Sequence, residues 1–201
     1  FEAAIEADPD YPMAYVSRAD LRDARGDTAG ALEDLDRAVE LEPHPAKILA
    51  ARAEIRIEAG DYRAAIADAE RIIELEPEDP AGYYLRGLAR AYEGDDAAAI
   101  ADYTAAIERD PEDLASIAGR LRAYMRTGDG ERALGDAERL VTAEPDEALL
   151  VAMRGAARAL AGDAPGARAD FDLAATMTTD SEELELIEEL GARVSGDDLC
   201  S

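Results

Sequence analysis

The sequence has no tryptophan, two phenylalanines, one cysteine, one histidine and, among 21 basic residues, a single lysine, Lys47. Each scarcity narrows what the chain can do. With Cys200 alone there is no internal disulfide, and no cysteine–histidine set of metal-ligand spacing can be assembled. Cys200 lies second from the end, which does not fit a prenylation box, and no histidine stands beside it to make it a nucleophile. His44 is held between Pro43 and Pro45 without a partner, so it reads as a turn residue and not as an acid–base group. Calcium loops of EF-hand pattern are missing, as are apolar runs long enough to span a bilayer and any signal-peptide pattern. These absences point to a protein that is not an enzyme and holds no cofactor or metal.

Positive charge is also scarce. Against 47 acidic residues the basic ones leave a formal net charge of -26. Such a surface repels phosphate backbones and anionic headgroups, which argues against nucleic acid and membrane surfaces as partners and favours a basic protein or peptide. The excess of acid and of arginine over lysine also fits a GC-rich genome or a saline medium.

What the chain has in abundance is repetition. Gly-Asp recurs at Gly26-Asp27, Gly60-Asp61, Gly94-Asp95, Gly128-Asp129 and Gly162-Asp163, each 34 residues after the last. A proline keeps the same period at Pro9, Pro43, Pro77, Pro111 and Pro145. A strict period of this length marks a solenoid of helical repeats. With the proline at position 32, full repeats cover 12–45, 46–79, 80–113, 114–147 and 148–179, preceded by a remnant at 1–11. Phe1 falls inside that remnant, so further sequence is expected before it. In each repeat a first helix is expected over positions 2 to 14 and a second over 17 to 30. Glycine at 15 ends the first helix, aspartate at 16 caps the second, and proline at 32 turns the chain.

Position 20 is always alanine, at Ala31, Ala65, Ala99, Ala133 and Ala167, and position 8 is Ala19, Ala53, Gly87, Leu121 and Gly155. Small facing residues let antiparallel helices approach closely. Positions 24 and 27 trade volume, as Leu35/Ala38, Tyr103/Ala106 and Phe171/Ala174 against Ala69/Ile72 and Ala137/Leu140. With small residues at 8, glycine at 15, alanine at 20 and proline at 32, the repeat resembles the tetratricopeptide repeat over residues 12–179. The resemblance implies an all-α, right-handed superhelical solenoid of antiparallel helix pairs and a protein-binding scaffold. Departures are Thr179 in place of the last proline, and Tyr15, Leu49, Tyr83, Ile117 and Val151 at position 4, where the family usually has tryptophan. After the repeats, 180–194 reads as an amphipathic helix whose Leu184, Ile187 and Leu190 would cover the last repeat, and 195–201 as a short tail.

Two constellations repeat with the period. Position 7 is Arg18, Arg52, Arg86, Arg120 and Arg154, and position 23 is Asp34, Asp68, Asp102, Asp136 and Asp170. Position 11 adds Arg22, Arg56, Arg90 and Arg158, with Tyr124 the exception. Position 7 flanks the core face, where a guanidinium needs a partner. The two readings are a ladder for an acidic ligand and an internal ion-pair staple; the co-repeating aspartate favours the staple.

The second constellation follows from the resemblance, which implies a concave groove lined by positions 2, 5, 9, 12 and 13 of the first helices. There Lys47 and Ile57 belong to the second repeat, Tyr84, Leu88 and Tyr92 to the third, and Arg122, Met125 and Arg126 to the fourth. Leu149, Ala152 and Ala156 represent the fifth. The family's carboxylate clamp for acidic chain ends needs lysine and asparagine where Val16, Asp20, Ala51, Ala81 and Leu85 stand, so chaperone-tail binding is not expected. An extended basic segment anchored on Tyr84, Leu88 and Tyr92, with Arg122 and Arg126 setting direction, is the expected ligand. The alternatives are a self-assembly module forming a homo-oligomer through repeat ends or convex faces, and an accessory region of a larger enzyme.

Overall fold

The computed structural model describes residues 1–195, and side chains as far as 192. Most of the tail expected over 195–201 lies outside the described residues. All regular structure among them is helical: α1 (Glu2–Ala7), α2 (Pro12–Asp23), α3 (Thr28–Leu41), α4 (Ala46–Glu58), α5 (Tyr62–Leu75), α6 (Pro80–Glu93), α7 (Asp96–Arg109), α8 (Leu114–Thr127), α9 (Gly130–Ala143), α10 (Ala148–Leu160), α11 (Ala164–Met177) and α12 (Ser181–Ser195). The helices form two compact units, Phe1–Pro111 and the chain from Glu112 onward. In the first unit α2 packs on α3, α4 on α5 and α6 on α7, with α5 also against α6; in the second α8 packs on α9, α9 on α10 and α10 on α11. None of the described helices is long and apolar enough to cross a membrane.

Helix ends follow the repeated local sequence. Gly26, Gly60, Gly94, Gly128 and Gly162 have φ between 77° and 87°, a region in which any Cβ would be strained. The aspartate after each glycine accepts a hydrogen bond from a backbone N–H of the second helix's first turn, as Asp27 does from Gly30 at 3.1 Å and Asp163 from Gly166 at 3.0 Å. That satisfies one of the donors a helix start leaves unpaired.

Within a helix pair, positions 8 and 24 are complementary in size, which adds to the trade between 24 and 27. A Cβ on Gly87 would lie 3.1 Å from the Tyr103 ring and 3.2 Å from Asp102 Cβ. One on Gly155 would lie 3.1 Å from Asp170 Cβ and 3.4 Å from the Phe171 ring. The order is reversed in the fourth repeat, where Leu121 and Ala137 are both wholly buried. Close packing tolerates exchange of volume across the seam but not its loss. Tyrosine at position 4 ties a repeat to the turn before it: the Tyr15 hydroxyl donates to the Pro9 carbonyl at 3.0 Å, and that of Tyr83 to Pro77 at 3.3 Å. Arg109 stacks 3.8 Å from the Tyr83 ring centre and donates to the Pro77 carbonyl at 2.7 Å, a brace that no sequence repeat announces.

Beside this seam run the ion pairs. Arg18 reaches Asp34 through Nε at 2.8 Å and Nη2 at 2.6 Å, a two-pronged contact, while Arg22 reaches the same carboxylate at 2.9 Å. Arg52 and Arg56 each approach Asp68 to 2.6 Å, and Arg86 and Arg90 approach Asp102 to 2.7 and 2.8 Å. Arg120 meets Asp136 at 2.7 Å. In the last repeat Arg154 and Arg158 meet Asp170 at 2.6 and 2.9 Å. All five carboxylates are 3–4% exposed, and no buried side-chain polar atom is left without a partner among the described residues. Hydrogen bonds from Arg18 to Asp34, Arg86 to Asp102 and Arg154 to Asp170 raise the guanidinium pKa further. For Arg52 burial works against its charge, but the bonds to Asp68 and Asp36 outweigh it and the shift is again upward. A cation whose pKa rises on folding stabilises the fold below its unfolded value and loses that contribution only as pH climbs through the folded one. For arginine that window is strong alkali, so these positive charges persist at every working pH.

α12 packs on α10 and α11. Ile187 is 2% exposed and clusters with Ala148, Val151, Ala152 and Ala174, with Phe171 and Leu190 at the edge. Ala152, expected on the groove face, is buried in this cluster at 0% exposure, and Ala156, expected there too, is 1% exposed. The staple makes a direct prediction. Asp102→Ala strands two partly buried guanidinium groups and costs about 2–4 kcal/mol, read as a lower denaturant midpoint at unchanged slope. An unaltered midpoint would show that Arg86 and Arg90 do not depend on the carboxylate.

Candidate functional site

The candidate binding residues lie on first helices, and each unit carries its own set. In the N-terminal unit Lys47 is exposed at the start of α4. Ile57, expected to line the groove, is instead 7% exposed in the core with Leu49, Ala53, Ile72, Leu85 and Ala89. α4 packs on both α5 and α6, and Ile57 joins the apolar cluster these three helices share. Ile57 is therefore withdrawn from the site.

Tyr84 and Leu88 are half-buried against the same core, and the Tyr84 ring lies 6.2 Å from Tyr103 at a 47° tilt. Tyr92 differs. It is 60% exposed and stacks on Tyr62, with ring centres 5.7 Å apart and planes 8° from parallel. The expected stripe is thus a gradient from core to solvent, and its outer end is a pair of rings. Tyr62 escaped the sequence argument because it opens a second helix; its tyrosine directly after Gly60-Asp61 was the available signal.

In the C-terminal unit Arg122, Met125 and Arg126 of α8 border an open pocket of about 310 Å³ with Leu149 and Met153 of α10 and Leu186 and Leu190 of α12. Arg122, Met125, Arg126 and Leu149 are expected groove positions. Met153 and the two α12 leucines are not. Leu186 and Leu190, one helical turn apart, extend the pocket wall, and Leu186 is 43% exposed there. The arginines on the rim are both exposed. Those of the ladder, Arg18, Arg52, Arg86, Arg90, Arg120 and Arg154, are held by Asp34, Asp68, Asp102, Asp136 and Asp170, so their cations serve internal contacts.

No group of three or more metal-ligating side chains comes together among the described residues. His44 is exposed in its turn, with its backbone N–H 3.4 Å from the Glu42 carboxylate.

The model of the family described as "Tetratricopeptide repeat" matches residues 1–46, 50–113 and 119–182. The chain belongs to the tetratricopeptide-repeat family. No curated protein matches it. Solved structures give the same fold for this tetratricopeptide protein at low identity. PilW, described as a widely conserved type IV pilus biogenesis factor, superposes with a TM-score of 0.81 at 18% identity over 93% of this chain and 87% of its own. MamA gives 0.74 at 19% over 83% and 91%. YrrB, described as a TPR protein with an unusual peptide-binding site, gives 0.72 at 18% over 94% and 97%.

The gradient among the tyrosines is measurable. Tyr84→Ala should lower stability by about 1–3 kcal/mol, since it opens space beside the core. Tyr92→Ala should cost less than about 1 kcal/mol, the scale of an exposed ring stack. Equal losses in urea titrations would refute the division into a packing and a presenting tyrosine.

Proposed function

We propose that this tetratricopeptide protein is a non-enzymatic binding module that takes up extended peptide segments of partner proteins on the exposed faces of its first helices. The observation that carries the reading is the pocket of α8, α10 and α12, where four expected groove residues border one open apolar space. At about 310 Å³ it sits at the small end of ligand pockets and suits one or two side chains of a segment. In the N-terminal unit the Tyr62–Tyr92 stack offers a rigid amphipathic platform, with Lys47, Tyr84 and Leu88 on the same set of first helices. The net charge of -26, with most ladder cations neutralised internally, favours a partner of net basic character, attracted at a rate that falls with salt. YrrB's described peptide-binding site supports the class of ligand and nothing narrower.

A displayed peptide library panned on the immobilised chain tests the reading. Related sequences should be retained, with affinities in the micromolar range usual for short segments, and lost in a Tyr92→Ser/Met125→Asp variant that melts like the parent. Retention of no consensus, or binding indifferent to both substitutions, would contradict it. Sedimentation of the unliganded chain across concentration supplies the other branch: mass that rises with concentration favours self-assembly.

A further inference from the structure

We infer that the pocket of α8, α10 and α12 recognises a short internal motif in which a large apolar residue stands beside an aspartate or glutamate. The inference rests on the peptide-binding reading and specifies the chemistry of one of its sites. Its floor is set by Met125, Leu149, Met153, Leu186 and Leu190, which provide no ion partner and bury only apolar surface. Two methionines among them make the walls adaptable, so leucine, isoleucine, methionine or phenylalanine would each fit.

The polar half of the motif follows from Arg122. It is exposed on the rim, and among the described residues no carboxylate pairs with it, in contrast to Arg120 two positions earlier, which is 2.7 Å from Asp136. A planar guanidinium presents a fork that a carboxylate matches in two parallel hydrogen bonds. Once an apolar side chain fills the pocket and displaces its water, such a bond is stronger than at an open surface. Arg122 is thus an exposed guanidinium at the mouth of an apolar pocket, on a chain with 47 acidic residues. The chain's net negative charge disfavours acidic segments in general, so a carboxylate that binds here is selected by position as well as by charge. The pocket is open to solvent, so a segment can lie across it. The proposed ligand is an acidic side chain within such a segment, and a terminal carboxylate is the competing outcome of the test. The net basic character proposed for the partner governs approach, while this motif governs register.

The test uses the full chain and two libraries of octapeptides, one blocked at both ends and one with free C-termini, scored by fluorescence anisotropy. Blocked peptides carrying an apolar residue adjacent to Asp or Glu should be enriched. Arg122→Glu, at an exposed position, should weaken them about tenfold or more and shift enrichment to Lys or Arg beside the same apolar residue. Leu186→Asp should remove the apolar preference. Binders that lack the acidic residue, or that ignore both substitutions, would overturn the inference and leave the binding module intact. Enrichment confined to free C-termini would assign the pocket to chain ends and overturn it too. If the unliganded chain dimerises and Leu186→Asp abolishes the dimer, the occupant is a second copy and the motif reading falls. Retention of no peptide by either library would remove both readings together. Unchanged helicity and melting of the variants separate each outcome from misfolding.

Discussion

Everything in this fold leans on a carboxylate that has been taken out of water. Each aspartate at position 23 is almost fully buried where two antiparallel helices are nearest, and burying such a charge is unfavourable unless it is matched. The match comes from the facing helix, through one or two guanidinium groups within hydrogen-bond distance. Because a buried pair is weak as a source of stability and strict in geometry, its main consequence is register. One turn of slip would leave the charges unpaired and set Gly87 or Gly155 against the wrong neighbour.

That constraint shapes function by subtraction. Arginine supplies nearly all of the chain's positive charge, and the ladder holds much of it in place, the pKa values of Arg18, Arg52, Arg86 and Arg154 being raised by their aspartates. The outer surface is accordingly more acidic than the formal charge alone conveys. A cation that stays outside the ladder, such as Arg122, becomes a local exception. Its neighbours are apolar because α12 adds Leu186 and Leu190 to a wall begun by α8 and α10. The helix that covers the end of the C-terminal unit therefore also completes the pocket.

Much of this was legible in the sequence because it is local and periodic. Helix ends at Gly26 or Asp61 are set by residues one or two positions away, and the ladder shows as two columns of identical residues. What stayed hidden depends on neighbours distant along the chain. Ile57 occupies a groove position by count, yet it is buried in a cluster shared with the paired helix and the next first helix. Tyr84, Leu88 and Tyr92 share one stripe, but only the last clears the core, and its stacking partner Tyr62 belongs to another repeat. Leu186 carries no periodic signal, since the repeats have ended before it. Its place follows from how Ile187 is seated against Val151 and Ala152.

The claim that the arginines are internal structural groups is tested most directly by a double-mutant cycle on Arg120 and Asp136, the repeat in which Tyr124 replaces the second arginine. Stabilities of the parent, Arg120→Ala, Asp136→Ala and the double variant, taken from urea unfolding, give the coupling between the two side chains. A coupling of about 1–3 kcal/mol is predicted, with the double variant less destabilised than the sum of the singles. Additive losses would contradict the account, because they would mean that the pair does not hold the helices and that the ladder's cations are available to a ligand.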